Sequence, residues 1–318
     1  MPALFLTEDD VRELTDMETA IDVVEEAFRQ MSNAKTANLP RRRASAPGIV
    51  LHSMSASAES LGLVGWKNYT TTAHGAQFHV AVYDIETGAM AALIEANYLG
   101  QLRTGAASGV ATKYMARTDT KVVGLFGTGL QARTQLKAVC TVRRIERVEV
   151  YGRDETRRRN FSHEMTEYCA TEVVPVHAPD EAAAEKDLVI TATTSKRPLF
   201  DGKVLAEGTH LNVIGSNWLS KAEIDVNTVA RADHIVCDSI EACQIEAGDF
   251  VESLEDGVTD WRLMHDLADV VAGKQTGRAT PEDVTLFKSV GLALEDVALA
   301  AKILERAREE GLGQPLPF

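Results

Sequence analysis

The sequence predicts an α/β protein in which a doubly wound parallel sheet follows, in chain order, a run of antiparallel strands. Three observations predict it. Between residues 122 and 237, short β-branched segments alternate with helical ones, the pattern of parallel strands joined by crossover helices. Between residues 41 and 95, strand-like segments succeed one another with only turns between them, which suits an antiparallel sheet. The length of 318 residues, with 45% apolar and 25% charged residues, suits about two domains with full cores.

The elements follow in order. Residues 7–33 carry a helix signature that can be divided into two short helices. Thr7 is a good N-cap, acids fill the first turn, and Val11, Leu14, Ala20, Val23, Val24, Ala27 and Phe28 recur at helical spacing. Pro40 and Pro47-Gly48 are expected to break the pattern. Strands are expected at 41–46, 49–54, 63–69, 78–84 and 90–95, with Glu86-Thr87-Gly88 as one of the turns. Residues 99–115 read as a helix rich in small residues (Gly105, Ala106, Ala107, Ser108, Gly109, Ala111), which let a backbone or ligand come close. The parallel strands are expected at 122–126, 148–151, 173–176, 188–192, 211–214 and 235–237. From Ala279 onward the chain reads as helical, with 290–308 the longest run.

Composition narrows the function. A net charge of −14 argues against nonspecific binding to nucleic acid or to an anionic membrane, though not against an anionic small substrate in a local cationic pocket. No apolar stretch approaches the ~18 residues of a membrane span, and the first residues lack the basic start of a signal peptide, so a cytoplasmic location is expected. Cys140, Cys169, Cys237 and Cys243 show no CxxC spacing and read as reduced thiols. The eight histidines show neither HxxxH nor HExxH, so no metal site is expected. The absence of a GxSxG elbow argues against an α/β-hydrolase.

The strongest local signal is the stretch Val122-Val123-Gly124-Leu125-Phe126-Gly127-Thr128-Gly129-Leu130-Gln131-Ala132. It places GxGxxA between a short strand and a helix, the context in which the motif binds a dinucleotide. Gly127 permits the tight turn, Gly129 lets a pyrophosphate approach the backbone, and Ala132 allows close helix–strand packing. The helix start supplies N–H groups for the phosphates. The next strand ends Val150-Tyr151-Gly152-Arg153-Asp154. Gly152 stands where an acid would bind the ribose of NAD, and Arg153 follows, which favours NADP(H); Asp154 keeps NAD(H) possible. Two cations upstream stand out: Lys67 in Gly65-Trp66-Lys67-Asn68-Tyr69, and Arg103 at the start of the small-residue helix. Each alone is more often a salt-bridge residue than a ligand.

Beyond these motifs, the chain resembles the ornithine cyclodeaminase/μ-crystallin family. The likeness rests on Leu102-Arg103-Thr104-Gly105-Ala106-Ala107-Ser108, Gly127 to Ala132, Thr191-Ala192-Thr193-Thr194-Ser195, Gly215-Ser216-Asn217 with Glu223-Ile224-Asp225, and Ser289-Val290-Gly291-Leu292-Ala293-Leu294-Glu295-Asp296. The resemblance implies a Rossmann domain (116–289) inserted into an α+β domain (1–115 with 290–318) that binds substrate and forms a homodimer. Carried over by position, it implies Arg41, Lys67 and Arg103 as carboxylate-binding residues, with Arg43 an alternative to Arg41, and Asn217 and Val290 also at the substrate. Lys67 is the candidate catalytic proton donor. Thr104, Gly127, Thr128, Gly129, Leu130, Gln131, Gly152, Arg153, Thr193, Thr194, Ser216 and Gly291 would hold the cofactor.

One departure matters. Cyclodeaminases of this family carry an aspartate where this chain has Asn217, and an amide cannot act as a base at neutral pH. The expectation is therefore NAD(P)H-dependent reduction of a small ketimine, such as a cyclic Δ1-imino-2-carboxylate, to the L-amino acid, or the reverse dehydrogenation. A cyclodeaminase with internally recycled NAD is the alternative among enzymes, separated by showing no net change in reduced cofactor. A cofactor-binding protein without turnover is the alternative from another class. Retention of a carboxylate clamp favours an enzyme.

Overall fold

The structure, a computed structural model, describes residues 2–317. The chain divides into two compact units: residues up to Thr104 together with those from Gly291 on, and Gly105–Val290.

The first unit opens with β1 (Leu4–Leu6), α1 (Glu8–Leu14) and α2 (Met17–Ser32). Thr7 and Asp10 form a capping box at α1: Asp10 N donates to Thr7 Oγ1 at 3.3 Å and Thr7 N donates to Asp10 Oδ2 at 2.8 Å. Five strands follow: β2 (Thr36–Ala46), β3 (Ile49–Ala58), β4 (Leu63–Thr72), β5 (Gly75–Asp84) and β6 (Met90–Glu95). Pro40 does not break β2. The strand runs through it with a register shift between Leu39 and Arg42, which is tolerated because β2 is the edge strand and a missing N–H costs nothing on the unpaired side. Helix α3 (Asn97–Met115) comes next, and the division between the units falls within it. The Glu8 carboxylate accepts from Tyr98 N at 3.0 Å, so α1 caps the start of α3.

The second unit begins with β7 (Val122–Phe126), α4 (Leu130–Val142), β8 (Arg147–Tyr151), α5 (Glu155–Cys169), β9 (Glu172–Pro175), α6 (Pro179–Ala183), β10 (Leu188–Thr191) and β11 (His210–Val213). It continues with α7 (Val226–Arg231), β12 (His234–Cys237), α8 (Ile240–Glu246), α9 (Val251–Glu255), β13 (Met264–Asp266), α10 (Leu267–Val271) and β14 (Thr285–Lys288). Among the described residues these strands form an eight-stranded parallel sheet in the order β13-β12-β14-β11-β10-β7-β8-β9. The chain winds outward from β7 through β8 to β9, then returns to β10 on the other side of β7. That reversal is the topological switch point, and ligands of such sheets bind outside the carboxyl ends of the strands there. The core beside it holds Val123, Leu125, Leu136, Val148, Val150, Phe161 and Ile190.

One expectation fails here. The stretch after Ala279 is not helical at first, because Thr285–Lys288 is a fully buried strand between β11 and β12. A strand buried on both faces shows no alternation of apolar and polar residues, so its period is invisible.

The chain ends with α11 (Ala293–Glu310) and β15 (Gln314–Pro315), both in the first unit. There the sheet order is β15-β1-β6-β5-β4-β3-β2, antiparallel throughout except for the β1–β6 pair. Helix α11 lies against this sheet and α2 with most of its surface buried. Gly65 on β4 makes the approach possible, since a Cβ there would sit 2.9 Å from Val297 Cγ2. Asn38 Oδ1 on β2 accepts from Leu294 N at 3.1 Å and so caps the start of α11. That cap fixes the first turn, where Glu295 and Asp296 stand.

Candidate functional site

In the second unit, the glycine-rich turn leaves β7 and enters α4. Gly127 has φ +113°, and a Cβ on it would lie 2.3 Å from Ala192 O, so both its conformation and its surroundings require glycine. A Cβ on Gly129 would meet nothing within 4 Å. Gly129 is the N-cap of α4 and offers no side-chain cap, so the first amides of the helix are left for another acceptor. Gln131 Oε1 is buried and has no hydrogen-bond partner among the described residues. An open approach and uncapped amides fit a dinucleotide diphosphate. Thr128 is half-buried and Leu130 exposed beside them. At the end of β8, Gly152 packs over Thr128, Arg153 is exposed, and Asp154 caps α5 by accepting from Arg157 N at 2.9 Å.

The segments after β10 and β11 are tied together by a residue that the sequence analysis named in a motif but gave no role. Glu223 is fully buried. Its Oε1 accepts from Thr193 N at 2.7 Å and Thr193 Oγ1 at 2.6 Å, and its Oε2 from Thr191 Oγ1 at 2.8 Å and Gly215 N at 2.7 Å. Burial and the nearby Asp249 carboxylate push its pKa up, while the hydroxyl donors oppose the rise. Glu223 N in turn donates to Asp249 Oδ1 at 2.6 Å, Asp249 Oδ2 lies 2.7 Å from Lys288 Nζ, and Lys288 Nζ donates to Ser216 O at 2.8 Å. Burial opposes the charge on Lys288, but Asp249 overrides it and holds the pKa above the ordinary value. Asn217 is half-buried next to Ser216, and Thr194 is exposed next to Thr193. Val290 is fixed from below, its N donating to Asp238 Oδ2 at 2.7 Å.

The first unit holds the cations. Lys67 on β4, Arg103 on α3 and Arg41 on β2 are 2%, 6% and 4% exposed, so all three are buried charges that need partners. Asp296 Oδ1 serves two of them, lying 2.8 Å from Lys67 Nζ and 3.2 Å from Arg103 Nε. Arg103 NH1 also meets Glu295 Oε2 at 2.7 Å. Burial lowers the Lys67 pKa, Arg103 lowers it further, Asp296 opposes both, and it settles at about 8. Two glycines leave room for the cations: a Cβ on Gly100 would lie 2.9 Å from Lys67 Nζ, and one on Gly291 would lie 2.6 Å from Arg103 NH1. Gly291 also has φ +84°. Thr104 is buried beside them, its hydroxyl donating to Gly100 O at 2.7 Å.

Aromatic rings wall this cluster. The strand register sets His52, Tyr69 and Phe78 opposite one another, with His52 stacked on Tyr69 at 4.1 Å and Tyr69 on Phe78 at 4.8 Å. Lys67 Nζ lies 5.5 Å from the Phe78 centroid, and the Arg41 guanidinium 5.9 Å from that of Tyr69. Burial, with Arg43 and Arg41 nearby, lowers the His52 pKa to about 4, so the ring is neutral and Arg43 Nε donates to its Nδ1 at 3.2 Å. Of the two arginines, Arg41 is the buried one. Arg43 is half-buried and engaged with the ring.

Sequence reasoning therefore found the cations and missed their counterions. Glu295 and Asp296 lie within a motif already noted, but acids in a first helical turn are common for dipole reasons alone. No group of His, Cys, Asp or Glu among the described residues is arranged to hold a metal ion. No helix among the described residues is long and apolar enough to cross a membrane.

A doubly wound parallel sheet with this turn at its switch point defines a dinucleotide-binding protein of the Rossmann type. More narrowly, the chain belongs to the ornithine cyclodeaminase/mu-crystallin family, whose model matches residues 1–311. It is 32% identical to a Δ(1)-pyrroline-2-carboxylate reductase of Bacillus cereus, over 99% of this chain and 100% of that one. The structure of Thermococcus litoralis Δ(1)-pyrroline-2-carboxylate reductase in complex with NADH and L-proline is 35% identical with a TM-score of 0.94, covering 98% of this chain and all of the other. An archaeal alanine dehydrogenase dimer with bound NAD is 32% identical with a TM-score of 0.94 and full coverage of both chains.

The counterion geometry makes a prediction. Asp296→Asn leaves Lys67 and Arg103 short of a shared buried charge, and should lower stability near neutral pH by about 3–5 kcal/mol. Lys67 has a folded pKa of about 8 against an ordinary 10.5. Stability of the native protein should therefore rise with pH across that window, where the unfolded chain holds the proton that the folded chain has released. The variant's deficit should shrink as pH passes 8, because a neutral amine no longer needs the carboxylate. Chemical denaturation on either side of that pH checks both, and a deficit independent of pH would mean that Asp296 serves Arg103 alone.

Proposed function

We propose that this protein is an NAD(P)H-dependent oxidoreductase that reduces a small cyclic or linear ketimine carboxylate to the L-amino acid, or runs the reverse dehydrogenation. The observation that carries the reading is Lys67: buried, aimed by Asp296, and poised at about pH 8. A lysine so placed can hold a proton at neutral pH and give it up to an imine nitrogen. Arg41 and Arg103 bind the α-carboxylate with Lys67. All three are buried, with Asp296 paired to Lys67 and Arg103 and Glu295 paired to Arg103.

The Gly127–Gln131 turn holds the diphosphate, and the Thr193–Thr194 and Ser216–Asn217 segments line the nicotinamide side. Thr104, Val290 and Gly291 complete the binding residues. A bound NAD(P)H would supply the hydride. Asn217 offers a hydrogen bond where a base would be needed for cyclodeamination, which favours reductase chemistry. The family resemblance and the named activities of the relatives point the same way.

The wild-type protein, given Δ1-pyrroline-2-carboxylate or imines of other 2-oxo acids, is expected to oxidise reduced cofactor in step with amino-acid formation. No consumption across such a panel would overturn the reading. Lys67→Met should lower kcat by about 10²- to 10⁴-fold. The wild-type rate of reduction should fall as pH rises through about 8, and the variant should lack that limb. A variant that keeps the limb would place the proton donor elsewhere.

The relatives' structures contain NADH or NAD. For this chain we propose a preference for NADP(H), with NAD(H) also accepted. Arg153 is exposed at the end of β8; of the acids that follow it, Asp154 caps α5 and Glu155 pairs with Arg159. Arg153→Ala should raise the KM for NADPH by roughly 10- to 100-fold, as loss of a charge-assisted bond implies, and change that for NADH far less. Equal effects on both cofactors would reject the assignment.

The protein is further proposed to be a homodimer. Strand β2 is an unpaired edge, and Leu39, Ile49 and Leu51 on the β2–β3 hairpin are 62%, 40% and 41% exposed. Sedimentation should give twice the chain mass of 34.5 kDa, and a clean monomer at micromolar concentration would count against it.

A further inference from the structure

Glu223 stands out among the buried charges of the second unit because of what its carboxylate touches. Its four acceptor bonds go to Thr191, Thr193 and Gly215, which lie at the carboxyl ends of β10 and β11 or just beyond them. The chain comes as close as it can: a Cβ on Gly215 would lie 2.3 Å from Glu223 Oε1 and 2.4 Å from Thr193 O. The main chain of Glu223 is itself held by Asp249, and Asp249 by Lys288, whose ammonium returns to Ser216 O. The circuit closes on the residue before Asn217.

Burying such a network is poor value as stabilisation. Apolar side chains of similar volume serve as well or better, whereas removing one partner is costly. What a satisfied polar network does well is fix one arrangement of the groups it joins. Here those groups are the two segments beside the switch point.

We propose that Glu223 is a positioning residue for the reaction: it fastens the Thr193 segment to the Gly215-Ser216-Asn217 turn and so sets where Asn217 is presented. The proposal rests on the oxidoreductase reading above. Each carboxylate oxygen accepts from a backbone N–H, which can only donate, so glutamine cannot replace it. In either orientation its NH₂ faces the N–H of Thr193 or of Gly215, and one of the two fastenings is lost.

The test uses the full chain with Glu223→Gln, Asn217→Ala and the double variant. Amide hydrogen exchange at Thr193 and Gly215 and NADH binding by fluorescence are measured without turnover, and kcat is measured alongside. Glu223→Gln is expected to speed exchange at Thr193 or Gly215, leave the NADH Kd within about threefold, and lower kcat by roughly tenfold or more. In the Asn217→Ala background the same substitution should cost little further kcat, since the two act as one unit. A kcat loss of the same size in both backgrounds overturns the proposal, as does unchanged exchange or unchanged kcat.

Should Glu223→Gln not fold, Thr191→Val decides instead, because it removes one donor and keeps the side-chain shape. A smaller kcat loss, again absorbed by Asn217→Ala, supports the proposal, and an unchanged kcat overturns it. Failure of the wild-type chain to bind either NADPH or NADH would strike the functional reading instead, and exchange at Gly215 would still decide whether Glu223 holds the two segments.

Discussion

One carboxylate oxygen organises the first unit. Asp296 Oδ1 accepts from both Lys67 and Arg103, which belong to a strand and a helix far from it in sequence. Removing it would take from Lys67 and from Arg103 a carboxylate each is paired with, and an uncompensated charge in the interior costs several kcal/mol. Much of the local architecture serves this contact. Asn38 caps the helix that carries Asp296, Gly65 lets that helix approach the sheet, and Gly100 and Gly291 leave space for the two cations. The contact also sets the chemistry, because it decides how far burial can depress the lysine.

The fold was legible wherever a periodic signal exists. The N-cap at Thr7, the alternating strands of the first sheet and the strand–turn–helix at Gly127 all show in the sequence. Two failures have physical causes. Pro40 reads as a breaker, but at an edge strand the missing N–H has no partner to lose. Thr285–Lys288 reads as part of a helical stretch because a strand covered on both faces needs no polar alternation, and its lysine is buried only because Asp249 waits for it.

The candidate site was legible in its glycine-rich turn, where residue type and spacing carry the chemistry, and in its cations only through the family resemblance. It was not legible in its carboxylates. Glu223, Asp249, Glu295 and Asp296 are ordinary acids in a chain with 47 of them, and only tertiary packing separates the buried from the solvated. The choice between Arg41 and Arg43 was likewise open in the sequence, as both lie on one strand. The aromatic stack of His52, Tyr69 and Phe78 separates them, because Arg43 is drawn to the neutral histidine while Arg41 stays inside.

Gly100 has a consequence for anyone wishing to harden this protein against heat. Glycine inside a helix costs about 1 kcal/mol relative to alanine, so helix α3, with Gly100, Gly105 and Gly109, looks like the obvious place for improvement. At Gly100 the added methyl would arrive 2.9 Å from the Lys67 nitrogen, and the ammonium would have to leave Asp296 to make room. The gain in helix propensity, about 1 kcal/mol, would then be outweighed by the cost of breaking a buried ion pair, about 3–5 kcal/mol, so the substitution that looks stabilising on the helix alone would lower the melting temperature.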